Sequence, residues 1–251
     1  MKLFLTKFTP SDLFVEELMR SCLDLQITSA HCPIEDKNYL TFEEEGLTLV
    51  FNEMRVCFDF ISLLKRHLKQ HYAITKEPLA KSLGIKGGKE RTILDATCGT
   101  GADSMLMLAF GASVFAYERD QIVYALLLDA LRRAFLVEFF LPFKDKFNLF
   151  LGDARNATSS ITSSCQTIYI DPMYEIEKRK ARQKKEMFAL DGLLGKAGDG
   201  EELFHWALRV AKERVVVKRP IKAKKILDQV TASYLGKSTR YDMYISHNLE
   251  N

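Results

Sequence analysis

From Arg91 onward the apolar positions fall into two alternating kinds of run. "RTILDA", "SVFAYE", "FNLFLGD", "TIYID" and "RVVVK" are short, rich in β-branched and aromatic residues, and bounded by turn formers. That pattern predicts buried strands. Between them, "SMLMLAF", "QIVYALLLDALRRAFLVE" and "EELFHWALRVAK" repeat apolar residues every three or four positions, which predicts helices. Near the end, "QVTASYL" and "RYDMYIS" flank "GKST" and read as a hairpin. Strands alternating with helices predict an α/β fold. The expected sheet has seven strands, mostly parallel, and finishes in a C-terminal antiparallel hairpin. Before Arg91 the pattern is weaker. "GLTLVF" alternates as a strand does, and "FDFISLLKRHLKQH" places Phe58, Ile61, Leu64 and Leu68 on one helical face. "IKGGKER" reads as a linker. The expected division is an N-terminal extension or small subdomain over 1–90 and a main domain over 91–251.

Composition narrows the class. A chain of 251 residues suits one medium domain with an extension, and 47% hydrophobic content is ample for a core. The net charge of +3 is small, so the clustering of charge matters more than its sum. Five cysteines (Cys22, Cys32, Cys57, Cys98, Cys165) are scattered without a C-x-x-C pair. That pattern predicts reduced thiols in a cytoplasmic protein. Lys7 interrupts the opening apolar run, and no stretch approaches a membrane span, so no membrane association is expected.

Candidate chemistry gathers at the predicted strand ends. In "ILDATCGTGAD", Asp95 closes a strand, and Gly99 and Gly101 form a turn that lets the backbone approach a ligand. Glu118 closes the next strand, nineteen residues after Gly99, where an acid can accept from ribose hydroxyls. Asp153 follows the third strand in "GDAR" and is placed to read an exocyclic adenine amine. Three acids at three strand ends suit S-adenosylmethionine, which has no phosphate, better than a pyrophosphate. With the terminal hairpin, this is the pattern of Rossmann-like methyltransferases. The competing reading is a plain glycine turn with helix-capping acids.

The fourth predicted strand ends in Asp171-Pro172-Met173-Tyr174, similar to the D/N-P-P-Y signature of amino-methyltransferases. The Asp171 carboxylate and Pro172 carbonyl are an acceptor pair for a base amine, and Tyr174 can stack on the base. A basic run follows at once: Lys178, Arg179, Lys180, Arg182, Lys184 and Lys185. A second, "KRPIKAKK" (Lys218–Lys225), leaves the fifth strand and includes Lys218 and Arg219. Two basic clusters flanking one pocket suit a phosphate backbone. Other candidates are weaker. His67 and His71 have metal-ligand spacing but no third ligand nearby, so no metal is expected. Cys98 reads as a small turn residue, and Phe204 and Trp206 read as core.

Together "LGIKGG…ILDATCGTGADS", "AYERDQIVYALLLDAL", "IYIDPMYEIEKRKARQKKEM" and "VVVKRP", with "RYDMY" in support, resemble the ribosomal RNA small-subunit methyltransferase J family. The resemblance spans about residues 46–245, and Met173 favours this family over the general D-P-P-Y group. It implies a class I methyltransferase fold and methylation of a guanine N2 amine in 16S ribosomal RNA, with S-adenosylmethionine as cofactor. The implied partner is that RNA or the small ribosomal subunit. It also implies cofactor contacts from Ala102, Asp103, Glu118, Arg119 and Asp171. Asp153-Ala154 stands where the family often has two serines, and Tyr174 where phenylalanine is more usual. Alternatives stay open: an adenine-N6 or protein methyltransferase, an RNA-binding module without activity, or an oxidoreductase that binds a nicotinamide dinucleotide, with Ser104 at the third-glycine position.

Overall fold

The structure is a computed structural model that describes residues 1–28, 38–87, 89–172 and 199–246. Among these, the chain forms two compact units, one of residues 1–60 and 120–140, the other of 61–119, 141–172 and 199–246.

The first unit carries a five-stranded sheet. Its strands are β1 (Lys2–Phe4), β2 (Gln26–Thr28), β3 (Asn38–Glu43), β4 (Gly46–Phe51) and β5 (Met54–Cys57), in the order β2-β1-β3-β4-β5. β1 runs parallel to both neighbours, while β3, β4 and β5 form an antiparallel meander. Helix α1 (Asp12–Ser21) buries Phe14, Val15 and Leu18. Helix α5 (Gln121–Phe135) packs on β4, whose residues are all buried. Within α5, the fully buried Asp129 accepts the Leu47 N–H at 2.9 Å. Arg132 and Arg133 pair with the same carboxylate at 2.9 and 2.7 Å. Gly46 has φ +130°, and a Cβ there would lie 2.5 Å from Asp129 Oδ2, so this turn requires glycine.

The second unit holds the sheet anticipated from the run pattern. Its strands are β6 (Thr92–Asp95), β7 (Ser113–Glu118), β8 (Phe147–Leu151), β9 (Thr167–Ile170), β10 (Arg214–Pro220), β11 (Ala232–Leu235) and β12 (Thr239–Ile245). Their order is β11-β12-β10-β9-β6-β7-β8. β8, β7, β6, β9 and β10 are parallel; β12 and β11 are antiparallel, joined by the hairpin at Gly236–Thr239. This is the seven-stranded class I methyltransferase arrangement. The other α-helices described are α2 (Phe60–Lys69), α3 (Pro78–Leu83), α4 (Ala102–Ala109), α6 (Ser159–Ser164) and α7 (Gly200–Val210), with 3-10 turns at Ile74–Lys76, Glu138–Lys146 and Ala154–Asn156. The core is apolar where the periodicity demands it. Leu94, Ile168, Ile170, Val215 and Val217 from the strands meet Leu203, Phe204, Ala207 and Leu208 of α7. Trp206 packs partly buried against the same cluster.

Parallel pairing aligns the carboxyl ends of β6, β7, β8, β9 and β10 along one edge. The chain runs outward from β6 in both directions, to β7 and β8 on one side and β9 and β10 on the other. Ligands of open α/β sheets bind at such a switch point.

Candidate active site at the strand ends

The turn after β6 is built from its own polar groups. Gly99 and Gly101 have φ +56° and +74°, a conformation glycine adopts without a Cβ penalty. Gly101 leads into α4, and its N–H closes the turn on the Cys98 carbonyl at 2.9 Å. Asp95 holds the turn from within. It is buried and accepts from Thr97 N–H at 3.1 Å and from Ser104 Oγ at 2.6 Å. Burial raises its pKa to about 7, against the two hydrogen bonds. Both Asp95 oxygens therefore face the protein, and Asp95 shapes the glycine turn from within instead of opening onto the strand-end edge. Ser104, the small residue at the third-glycine position, is fully buried by this bond.

Glu118 closes β7 and accepts the Gly99 N–H at 2.9 Å. The Cys98 N–H meets the Tyr117 carbonyl at 2.9 Å, so the turn is stitched to the end of β7 twice. Cys98 is buried, and its pKa is pushed well up by burial, which leaves it an inert thiol.

Asp153 sits beyond β8 with its carboxylate gripped by Arg155. The guanidinium donates from Nε at 2.9 Å and from Nη2 at 2.6 Å, and the Arg155 N–H adds a third bond at 2.8 Å. These bonds hold its pKa below the usual carboxylate range. Arg155 reaches on to Asp199 at 2.8 Å and Glu202 at 3.0 Å, and Arg119 also binds Asp199, at 2.7 Å. Arg119 and Asp153 thus join one ion-pair network with Arg155 and Asp199, a pairing invisible in the linear motifs. Ala154 is buried in the apolar core cluster.

Asp171 stands immediately past β9. Its N–H donates to Thr97 Oγ1 at 2.7 Å, tying the strand-nine end to the glycine turn. Its Oδ2 lies 2.9 Å from Lys218 Nζ, and its side chain is 39% exposed. Pro172 is buried against Gly200, where a Cβ would come within 3.1 Å of the proline ring. Asp103, in the first turn of α4, accepts from the Tyr169 hydroxyl at 2.6 Å and from Lys218 at 2.7 Å. Burial works against the Lys218 charge, but Asp171 and Asp103 outweigh it and push its pKa up.

Two sequence expectations need correction here. Lys218 and Arg219 do not extend a phosphate-binding surface. Lys218 is bonded to two carboxylates, and Arg219 is buried with its guanidinium donating to the Lys224 carbonyl. Arg240, also buried and paired with Asp242, donates to the Ile221 and Ala223 carbonyls. Those two arginines fasten the loop after β10, which turns Lys222, Lys224 and Lys225 outward. Met173, Tyr174, Lys178, Arg179, Lys180, Arg182, Lys184 and Lys185 lie outside the described residues. Among the described residues, no group of three or more His, Cys, Asp or Glu side chains is placed to hold a metal ion, and no helix is long and apolar enough to cross a membrane. His67 hydrogen-bonds instead to Tyr72, at 2.9 Å.

The donor set fits S-adenosylmethionine. The edge offers a left-handed glycine turn and the carboxylates of Asp103, Glu118 and Asp171, which suit hydroxyls, an ammonium and a sulfonium. It would crowd a pyrophosphate with like charge.

Comparison with known proteins agrees. A family model described as putative SAM-dependent methyltransferase matches residues 24–246. A ribosomal RNA small subunit methyltransferase J of Hydrogenovibrio crunogenus is 39% identical over 193 residues, 75% of this chain and 69% of its own length. One from Neisseria gonorrhoeae is 34% identical over 227 residues, covering 87% and 88% respectively. The crystal structure of a SAM-dependent methyltransferase from Neisseria gonorrhoeae, 29% identical, aligns over 100% of both chains with a TM-score of 0.75.

Proposed function

The chain belongs to the ribosomal RNA small subunit methyltransferase J family of SAM-dependent methyltransferases, and on that premise we propose that it methylates the exocyclic N2 amine of one guanine in 16S ribosomal RNA. One observation carries the reading from fold to chemistry. Asp171, beside Pro172, has its backbone pinned by Thr97 and its Oδ2 held by Lys218, at the switch point and next to the glycine turn. Family membership removes the nicotinamide oxidoreductase from consideration.

Bound S-adenosylmethionine supplies an electrophilic methyl group on a sulfonium. The glycine turn at Gly99 and Gly101, with Ala102, Asp103 and Glu118, would hold it. An exocyclic guanine amine is a poor nucleophile because its lone pair is delocalised into the ring. The Asp171 carboxylate and the Pro172 carbonyl accept its N–H bonds, fix its orientation and favour a more pyramidal nitrogen. Asp171 need not be a strong base, because the amine proton becomes acidic as the new bond forms. Placement of the amine supplies much of the acceleration. Tyr174 would stack on the base.

The phosphate backbone falls to the exposed lysines Lys222, Lys224 and Lys225 and to the basic run from Lys178 to Lys185. The deciding experiment is mass spectrometry of nucleosides from 16S RNA, and from assembled small subunits, incubated with the protein and S-adenosylmethionine. N2-methylguanosine supports the assignment. Methyladenosine, or no product on either substrate, overturns it.

A further inference from the structure

We propose that Lys218 is a positioning residue for methyl transfer: its two ion pairs aim the Asp171 carboxylate and tie it to the helix that follows the glycine turn. The proposal rests on the reading of Asp171 given above. Lys218 Nζ lies 2.7 Å from Asp103 Oδ2 and 2.9 Å from Asp171 Oδ2, and its side chain is only 23% exposed. Two carboxylates brought to one point repel, and one of them takes up a proton unless a cation lies between them. Lys218 is that cation, arriving from β10. The Tyr169 hydroxyl donates to the same Asp103 oxygen at 2.6 Å, so Asp103 is fixed from two sides.

The division of labour at Asp171 follows. Thr97 fixes its backbone through the N–H, and Lys218 fixes its side chain through Oδ2. Oδ1 has no protein partner among the described residues and is left for the substrate amine. A carboxylate held by one oxygen presents the other in a set direction, the preorganisation that makes an electrostatic partner effective. Charge argues the same way. Loss of water on its partly buried side pushes the Asp171 pKa up, Lys218 pulls it back, and Asp103 adds to the rise. The other titratable neighbours are Asp95 of β6, Tyr169 of β9 and Tyr241 of β12. Among the described residues Lys218 is the cation in this group of acids and phenols, so its removal leaves Asp171 to protonate at a higher pH.

The test uses Lys218→Met, Lys218→Gln and Lys218→Arg in the full chain. Single-turnover methyl transfer to 16S RNA is measured against pH at saturating S-adenosylmethionine and RNA. The Asp171 carboxyl is titrated by carbon-13 NMR without either ligand, and assigned with Asp171→Asn. The neutral variants should lose about 10²-fold in rate near pH 7. Their acid limb and the Asp171 titration should both rise by about 1–3 pH units. Lys218→Arg should restore the limb, and RNA affinity should stay within about twofold of wild type. A rate loss uniform in pH with an unmoved Asp171 titration would make Lys218 merely structural and overturn the proposal. So would loss of the fold in both neutral variants, or weakened RNA binding with an unchanged saturating rate. If the wild-type protein methylates no 16S RNA, the function assigned above fails. The NMR titration still decides the role of Lys218.

Discussion

The Glu118 carboxylate accepts the Gly99 N–H at 2.9 Å, so the end of β7 and the glycine turn after β6 form a single surface. Glu118→Ala removes an acceptor from that surface and loosens the turn. It should weaken binding of S-adenosylhomocysteine by roughly 1.5–3 kcal/mol, the usual cost of losing hydrogen bonds to a charged acceptor. RNA affinity should change little. Calorimetry reads the first quantity and filter binding the second; an unchanged cofactor affinity would remove Glu118 from the cofactor site.

Asp171→Ala should lower the single-turnover rate by about 10²–10³, the typical cost of one preorganised electrostatic partner. Saturating S-adenosylmethionine keeps any loss of cofactor affinity out of the number. A rate near wild type would take Asp171 out of the chemistry.

Asp95 should make stability depend on pH in the opposite sense to an ordinary salt-bridged acid. Burial raises its folded pKa to about 7, above its unfolded value. Between the unfolded and folded pKa values the native state binds the extra proton, so this group's contribution is full at the acid end. It fades as pH rises through about 7. The slope is at most about 1.4 kcal/mol per pH unit. Asp95→Asn keeps the shape without the titration. Urea midpoints between pH 5 and 8 should therefore move in favour of the variant as pH rises; a constant difference between the two proteins contradicts this.

Gly46→Ala should destabilise the protein by roughly 2–4 kcal/mol. It combines an unfavourable φ with a clash against the buried Asp129 carboxylate. Chemical denaturation measures it, and a loss under about 0.5 kcal/mol would mean that Asp129 and Arg133 give way freely.

Replacing Lys222, Lys224 and Lys225 by alanine should flatten the dependence of log affinity for RNA on log salt. The expected change is about 0.7 per lost single-strand phosphate contact. Replacing Lys178, Arg179 and Lys180 should do the same, whereas Lys218→Met should leave the slope alone. Titrations at several salt concentrations separate the three variants.

The main sheet was legible because each of its strands is a short apolar run with turn residues at both ends. The places of the glycine turn, Glu118 and Asp171 at the strand ends were legible because strand ends carry their own markers. Of the first unit, β4 and α5 were legible as an alternating strand and an amphipathic helix, whereas β1 and β2 have three residues each and pair outside any local pattern. Lys218 was misjudged for a similar reason. A lysine and an arginine after a valine run look like surface, and what draws Lys218 inward is Asp103, 115 residues earlier. Arg155, two residues after Asp153, was a signal within reach. An arginine that close can close on the carboxylate, and here it does.

The bond from Leu47 N–H to Asp129 also sets an order of events during synthesis. Its partners are 82 residues apart, and the glycine turn and two strands of the main sheet are translated between them. When β4 leaves the ribosome, the carboxylate that will accept its Leu47 amide has not been made. The part of the sheet that α5 covers, β4 above all, must wait until α5 emerges. At about 5–20 residues per second that wait lasts several seconds. The first unit therefore cannot be completed in strict order from its N-terminus, because α5 is made only after β6 and β7.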